Sequence, residues 1–179
     1  MDIYKLNFTI LEIEVFSFLC IRAGEKFSQR EIAQILKVSP TAVSNAARQL
    51  IAKELITLEK TKTINFITFN RDNPKAIALK RAENIKNIYV SGLSDFLEEQ
   101  LAGATIILFG SYAKGEDVKS SDIDLAVIGR KDRVLELDKF EKSLKRPINI
   151  NFYNSWKEIH KHLRNNILNG IILSGSVEL

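Results

Sequence analysis

Two carboxylates separated by a single residue, at the head of an apolar run, constrain this chain more than any other feature. Ser121-Asp122-Ile123-Asp124-Leu125-Ala126-Val127-Ile128 reads as a strand that begins with Asp122 and Asp124. Side chains two apart on a strand share a face. The two charges therefore repel, which is costly unless a cation lies between them. Oxygen-ligated Mg²⁺ held together with substrate phosphates is the usual remedy. Upstream, Ile106-Ile107-Leu108-Phe109 suits a strand covered on both faces. It runs into Gly110-Ser111-Tyr112-Ala113-Lys114-Gly115. Gly110 permits a tight turn and a close backbone approach to a ligand. Ser111 is placed to cap a short helix over Tyr112 to Lys114, whose free N–H groups would favour phosphate.

In this order and spacing, Gly110-Ser111, Gly115 and Asp122-Ile123-Asp124 resemble the polymerase-beta-like nucleotidyltransferase superfamily, above all its minimal members. The resemblance spans roughly residues 76–175. It implies an α/β (α+β) domain with a mixed β-sheet flanked by helices. It also implies that Gly110 and Ser111 hold the terminal phosphates of an NTP, ATP foremost, and that Asp122 and Asp124 bind Mg²⁺. The implied reaction transfers a nucleoside monophosphate to an acceptor hydroxyl and releases pyrophosphate. In active members a third acid on the next strand completes the metal site and often serves as the base. The matching strand here, Ile148 to Tyr153, offers Asn149 or Asn151. Asn149, between two apolar residues near the strand start, is the expected counterpart and joins Asp122 and Asp124 as a candidate catalytic residue. An amide carbonyl ligates, but it carries no charge and accepts no proton at neutral pH. Two outcomes follow. Either chemistry survives on the triphosphate's own charge or on a loop acid such as Glu116 or Asp117, or the site binds nucleotide without turning it over.

The N-terminal third has a different pattern. Apolar residues from Thr9 to Ala23 recur at helical spacing, and Cys20 falls among them as a packed thiol. As the single cysteine of the chain it excludes an internal disulfide, so a reducing cytoplasm is expected. Ser28-Gln29-Arg30-Glu31 is a capping box that opens a second helix. Ser39-Pro40 opens a third, with Val43, Ala46 or Ala47, Leu50 and Ile51 as its buried stripe. An alternating stretch from Ile56 to Phe69, with a polar turn at Lys60-Thr61-Lys62-Thr63, predicts a hairpin. Helices followed by a hairpin, and the segment Ser28–Leu55 in particular, resemble the winged helix-turn-helix family. The resemblance implies DNA binding. Thr41, Ser44, Asn45 and Arg48 would lie on the free face of the third helix and reach base edges. Lys60 and Lys62 at the hairpin tip would touch phosphates. Residues 25–62 carry seven Lys/Arg against four Asp/Glu, a modest surplus. The plainer alternative is a face that is merely solvated.

Asn73-Pro74 punctuates the chain and opens a long helical pattern to Leu101, with a break at Ser91-Gly92. The boundaries read as 1–72 for the winged helix, 73–101 for a connecting helical region and 102–179 for the nucleotidyltransferase-like domain. Beyond the acidic strand, a helix from Asp132 to Lys145 and a capped helix from Ser155 to Leu168 are expected. His160 and His162, two apart, should not share a helix face. A net charge of +4 is compatible with nucleic acid and no proof of it. No apolar run has the length of a membrane span. The expected function is that of a DNA-binding protein with metal-dependent nucleotidyl transfer. The alternative is a transcriptional regulator whose degenerate second domain senses nucleotide or mediates dimerisation. Expected partners are DNA, nucleotide, a second copy of the chain, and a separate protein completing the acceptor pocket.

Overall fold

The computed structural model describes residues 8–61 and 64–177. The chain divides between Lys80 and Arg81 into two compact units. In the first, helix α1 (Ile10–Ile21) starts at Thr9, whose hydroxyl accepts the Glu12 N–H at 3.2 Å. A short strand β1 (Phe27–Ser28) leads into α2 (Gln29–Leu36). The capping box closes as expected. Glu31 N–H donates to Ser28 Oγ at 3.2 Å, and Ser28 N–H donates back to the Glu31 carboxylate at 2.7 Å. Such reciprocal caps satisfy two of the helix's orphan donors. Helix α3 (Pro40–Ala52) has Ser39 as its cap and Pro40 in its first turn. Strands β2 (Ile56–Lys60) and β3 (Asn65–Phe69) form the hairpin, and β1 joins it in the order β1-β3-β2, all antiparallel. Val15, Leu19, Ile32, Val43, Leu50 and Ile67 meet in one fully buried core, with Cys20 packed among them. Burying each such side chain contributes roughly 1.5–3 kcal/mol.

Helix α4 (Pro74–Val90) contains the division between the units, and Gly92, at φ +74°, ends its run before α5 (Leu93–Gln100). The second unit then runs β4 (Thr105–Phe109), α6 (Gly110–Lys114), β5 (Ile123–Ile128), α7 (Asp138–Leu144), β6 (Ile148–Tyr153), α8 (Lys161–Leu168) and β7 (Ile171–Ser174). The sheet order is β6-β5-β4-β7, with β5 and β6 parallel and the other pairs antiparallel. Strand alternation divides the apolar residues between two layers. Ile106, Leu108, Leu125 and Val127 pack with Leu93, Leu97, Phe140 and Leu144 on one face. Ile107, Phe109, Ala126 and Ile128 pack with Trp156, Ile159 and Ile167 on the other. A sheet covered on both faces explains the near-continuous apolar runs of β4 and β5.

Several expectations are corrected. The helix foreseen from Asp132 to Lys145 is confined to Asp138–Leu144, and residues 131–137 have no regular structure. Arg133 instead donates to the Gln100 carbonyl at 2.8 Å, and Val134 stands 94% exposed, while Leu135, Leu137, Phe140 and Leu144 still pack on the core. The cap foreseen at Ser155 does not form. Glu158 accepts from the Asn154 backbone N–H at 2.9 Å, closing a 3-10 turn over Trp156–Glu158 ahead of α8. His160 then precedes α8 rather than lying within it, and its ring meets that of His162 at 5.5 Å. Ser111 is not a cap either. Helix α6 begins at Gly110, after Phe109, with no side-chain cap.

Leu125 sits at the centre of β5 and is fully buried. Leu125→Ala should cost the second unit about 2–5 kcal/mol. Urea denaturation followed by the fluorescence of Trp156, the chain's single tryptophan, reads that unit alone.

Candidate functional site

The second unit brings the acidic strand, the glycine turn and the asparagine strand to one place. Antiparallel pairing sets Phe109 opposite Asp124, so Gly110 follows directly beside the carboxylate. Gly110 has φ +76°, a conformation L side chains rarely adopt. A Cβ built there would lie 3.3 Å from Asp124 Cγ and nearer still to Oδ2. Glycine is required here twice over, by torsion and by space. Parallel pairing sets Asn149 level with Asp124, and the Asn149 side-chain amide donates to the Asp122 carboxylate. Asn149 also lies close enough to Asp124 to favour its charged form. Asn151 pairs with Ala126, one pleat further from the carboxylates. Asp122 and Asp124 are half-buried, while Asn149 and Asn151 are exposed.

Burial raises the Asp124 carboxyl above its ordinary range, and the neighbouring Asp122 charge adds to the rise. The Asn149 bond opposes it. Desolvation leads and the like charge beside it adds. Among the described residues no group of three or more His, Cys, Asp or Glu side chains is arranged to hold a metal. Two carboxylates fit one divalent cation whose remaining positions are filled by phosphate oxygens and water. Asn149 presents its amide nitrogen to Asp122. Ligation through its oxygen therefore needs a half-turn of the amide.

The loop acids foreseen as substitutes fare differently. Glu116 is exposed. Asp117 is 2% exposed and paired with Arg146 at 3.2 Å, and Asn84 Nδ2 donates to its other oxygen at 2.7 Å. Asp117 is therefore held inside the fold and does not replace the missing acid. The sequence reading missed Asn84 and Arg146. The available signal was Asn84 itself, a polar residue one helical turn before the buried Ile88.

In the first unit, Thr41, Asn45 and Arg48 are exposed on α3 and Ser44 is half-buried. Asn45 and Arg48 also line a groove with Thr9, Glu12 and Gln49, between α3 and α1. Lys60 ends β2, exposed, and Lys62 lies outside the described residues.

These two architectures are each found among known proteins. Residues 90–174 match the model of the nucleotidyltransferase domain, and residues 6–63 match the model of the MarR family. Over those residues the first unit carries a MarR-like winged-helix domain and the second a nucleotidyltransferase domain, in one fused chain. A solved structure of a ZitR mutant from Lactococcus lactis is similar at 18% identity and a TM-score of 0.41, over 56% of this chain and 64% of that one. No curated protein matches the chain.

The raised Asp124 pKa fixes the sign of a pH effect. A carboxyl whose folded pKa exceeds its unfolded value stabilises the fold fully below the unfolded pKa. That contribution is lost as pH rises through the folded one. Asp124→Asn removes the cost of the buried charge. In EDTA it should melt a few degrees above the parent at about pH 8, with the gap closing toward about pH 4. Paired thermal melts across that range measure it.

Proposed function

We propose that this chain is a DNA-binding regulator whose second domain binds a nucleotide together with a divalent cation. Asp122 and Asp124 would hold Mg²⁺, and Gly110 and Ser111 would receive the terminal phosphates of an NTP, ATP foremost. The observation that carries this reading is Asn149. It stands level with Asp124, gives an amide hydrogen bond to Asp122, and supplies neither the charge nor the proton acceptor that a third carboxylate would. Bound Mg²⁺ supplies neutralisation of the phosphate charge. The chain's own part is to orient: Gly110 keeps the backbone close to Asp124, and the turn presents the N–H groups of Gly110 and Ser111 to phosphate.

A second reading is nucleotidyl transfer to an unidentified acceptor hydroxyl. It is favoured by the close fit of Gly110 against Asp124, which brings the backbone up to the carboxylate where only glycine fits without strain. With Asp117 engaged by Arg146, the base for that reaction would come from the acceptor or from a partner protein completing the pocket. Incubation with labelled ATP and candidate acceptors separates the two readings: transferred label supports the second, while binding without transfer supports the first. A second copy of the chain is a further expected partner, through apolar residues exposed on α1 (Ile10) and at the end of α4 (Tyr89, Val90). No helix among the described residues is long and apolar enough to cross a membrane, and the cytoplasm is the proposed setting.

Calorimetry of ATP with and without Mg²⁺ tests the nucleotide site. Binding should require the cation. Asp122→Asn with Asp124→Asn should abolish it and leave the fold intact. Asn149→Asp should tighten Mg²⁺ about tenfold. Equal ATP affinity in EDTA would remove the basis of the reading.

DNA affinity should reside in the winged helix and fall steeply with salt. Arg48→Ala should cost roughly 1–3 kcal/mol at a specific site, whereas Lys60→Ala should weaken all sequences about equally. Fluorescence anisotropy with genomic fragments at two salt concentrations measures both.

A further inference from the structure

We propose that Asn84, Asp117 and Arg146 form a buried positioning network that sets the geometry of the nucleotide site. The proposal rests on reading that site as nucleotide-binding. All three side chains are almost wholly buried, at 3%, 2% and 3% exposure. Asn84 Nδ2 donates to the Tyr112 carbonyl at 2.9 Å and to Asp117 Oδ1 at 2.7 Å. Arg146 Nη2 meets Asp117 Oδ2 at 3.2 Å, and its Nη1 donates to the Lys145 carbonyl at 3.2 Å. The Tyr112 ring lies beside this cluster, and burial followed by the Asp117 charge pushes its hydroxyl pKa well up.

A buried ion pair is a poor way to stabilise a core, because desolvation offsets the attraction and apolar residues of similar volume do as well or better. What it supplies is direction. The network fixes three segments, and each carries part of the site. Tyr112 lies in α6, two positions after Gly110 and one after Ser111. Asp117 sits in the loop that leads to Asp122, and that loop is closed by Val118 N–H donating to Ser121 Oγ at 3.0 Å. Arg146 precedes Pro147, whose carbonyl accepts the Ile123 N–H at 2.9 Å and so ties the start of β6 to the start of β5. Asn149 follows three residues later. The three residues act on the carboxylate pair through the segments they hold.

The test compares Asn84→Ala with Ile88→Ala. Ile88 is fully buried one helical turn further along α4 and makes no polar bond to the turn, so it reports loss of packing alone. Both variants should lower Tm. Only Asn84→Ala should weaken Mg-ATP binding, by roughly tenfold or more. Only Asn84→Ala should also speed hydrogen exchange at the backbone amides of residues 112–122 in the nucleotide-free protein. The exchange measurement decides. Faster exchange in Asn84→Ala alone supports the proposal, and exchange unchanged there, or raised equally in Ile88→Ala, overturns it whatever the Kd. If the parent protein shows no affinity for Mg-ATP, the nucleotide reading falls, while exchange still answers whether the network positions the turn. Should Asn84→Ala fail to fold, Arg146→Lys keeps the charge, loses the planar fork, and is measured in the same way.

Discussion

The contact between the Gly110 backbone and the Asp124 carboxylate governs the second unit. It puts a positive φ at the end of β4, so the chain turns at once into α6. It brings a half-buried carboxylate against a peptide group with no side chain between them. Burial and the nearby Asp122 then raise the Asp124 pKa, and the Asn149 amide becomes the natural neighbour for both acids. Turn conformation and electrostatics meet at one glycine that cannot be replaced without straining the turn and displacing the Asp124 carboxylate.

The first unit is organised by caps rather than by a glycine turn. Ser28 and Ser39 each accept an N–H from the residue three along, which fixes where α2 and α3 begin. The core stripe of α3 then determines which residues are left outside. The groove shared by Asn45, Arg48 and α1 shows that this outer face is not wholly free. Glu12 reaches across it to Lys53 at 3.2 Å, and Lys53 in turn lies 4.0 Å from the Phe8 ring. The base of α3 is thereby tied to α1 at the end away from its cap.

Local signals were legible in the sequence where a short-range bond creates them. The Ser28–Glu31 box, Ser39-Pro40, the Gly92 break and the alternation of β2 and β3 all depend on neighbours a few residues away. The register that brings Asn149 level with Asp124 was legible only through resemblance, because nothing local to β6 states which strand it joins. The failures share a cause. Val134 and Ser155 fit helical patterns, but the Arg133 side chain is drawn to the Gln100 carbonyl and the Glu158 carboxylate turns back to the Asn154 N–H, and neither bond is written in apolar spacing. Asp117 looked like an available loop acid because its partners, Asn84 and Arg146, lie about thirty residues away on either side. Buried polar pairing across such distances leaves no trace in spacing.

The strand connections have a consequence for how the carboxylate site assembles. Strands β4 and β5 pair antiparallel across the short α6 segment, whereas β6 reaches β5 only through a parallel crossover and β7 returns to β4 from the far end of the unit. Short loops close sooner than long ones, and parallel pairing is intrinsically slow. On loop closure alone, the β4–β5 pair that holds Gly110 beside Asp124 is expected to form first, with Asn149 joining it later. Until the crossover through α7 closes, the strand pair holds Asp122 and Asp124 together without that amide, so closure is drawn on by the donor that eases their repulsion.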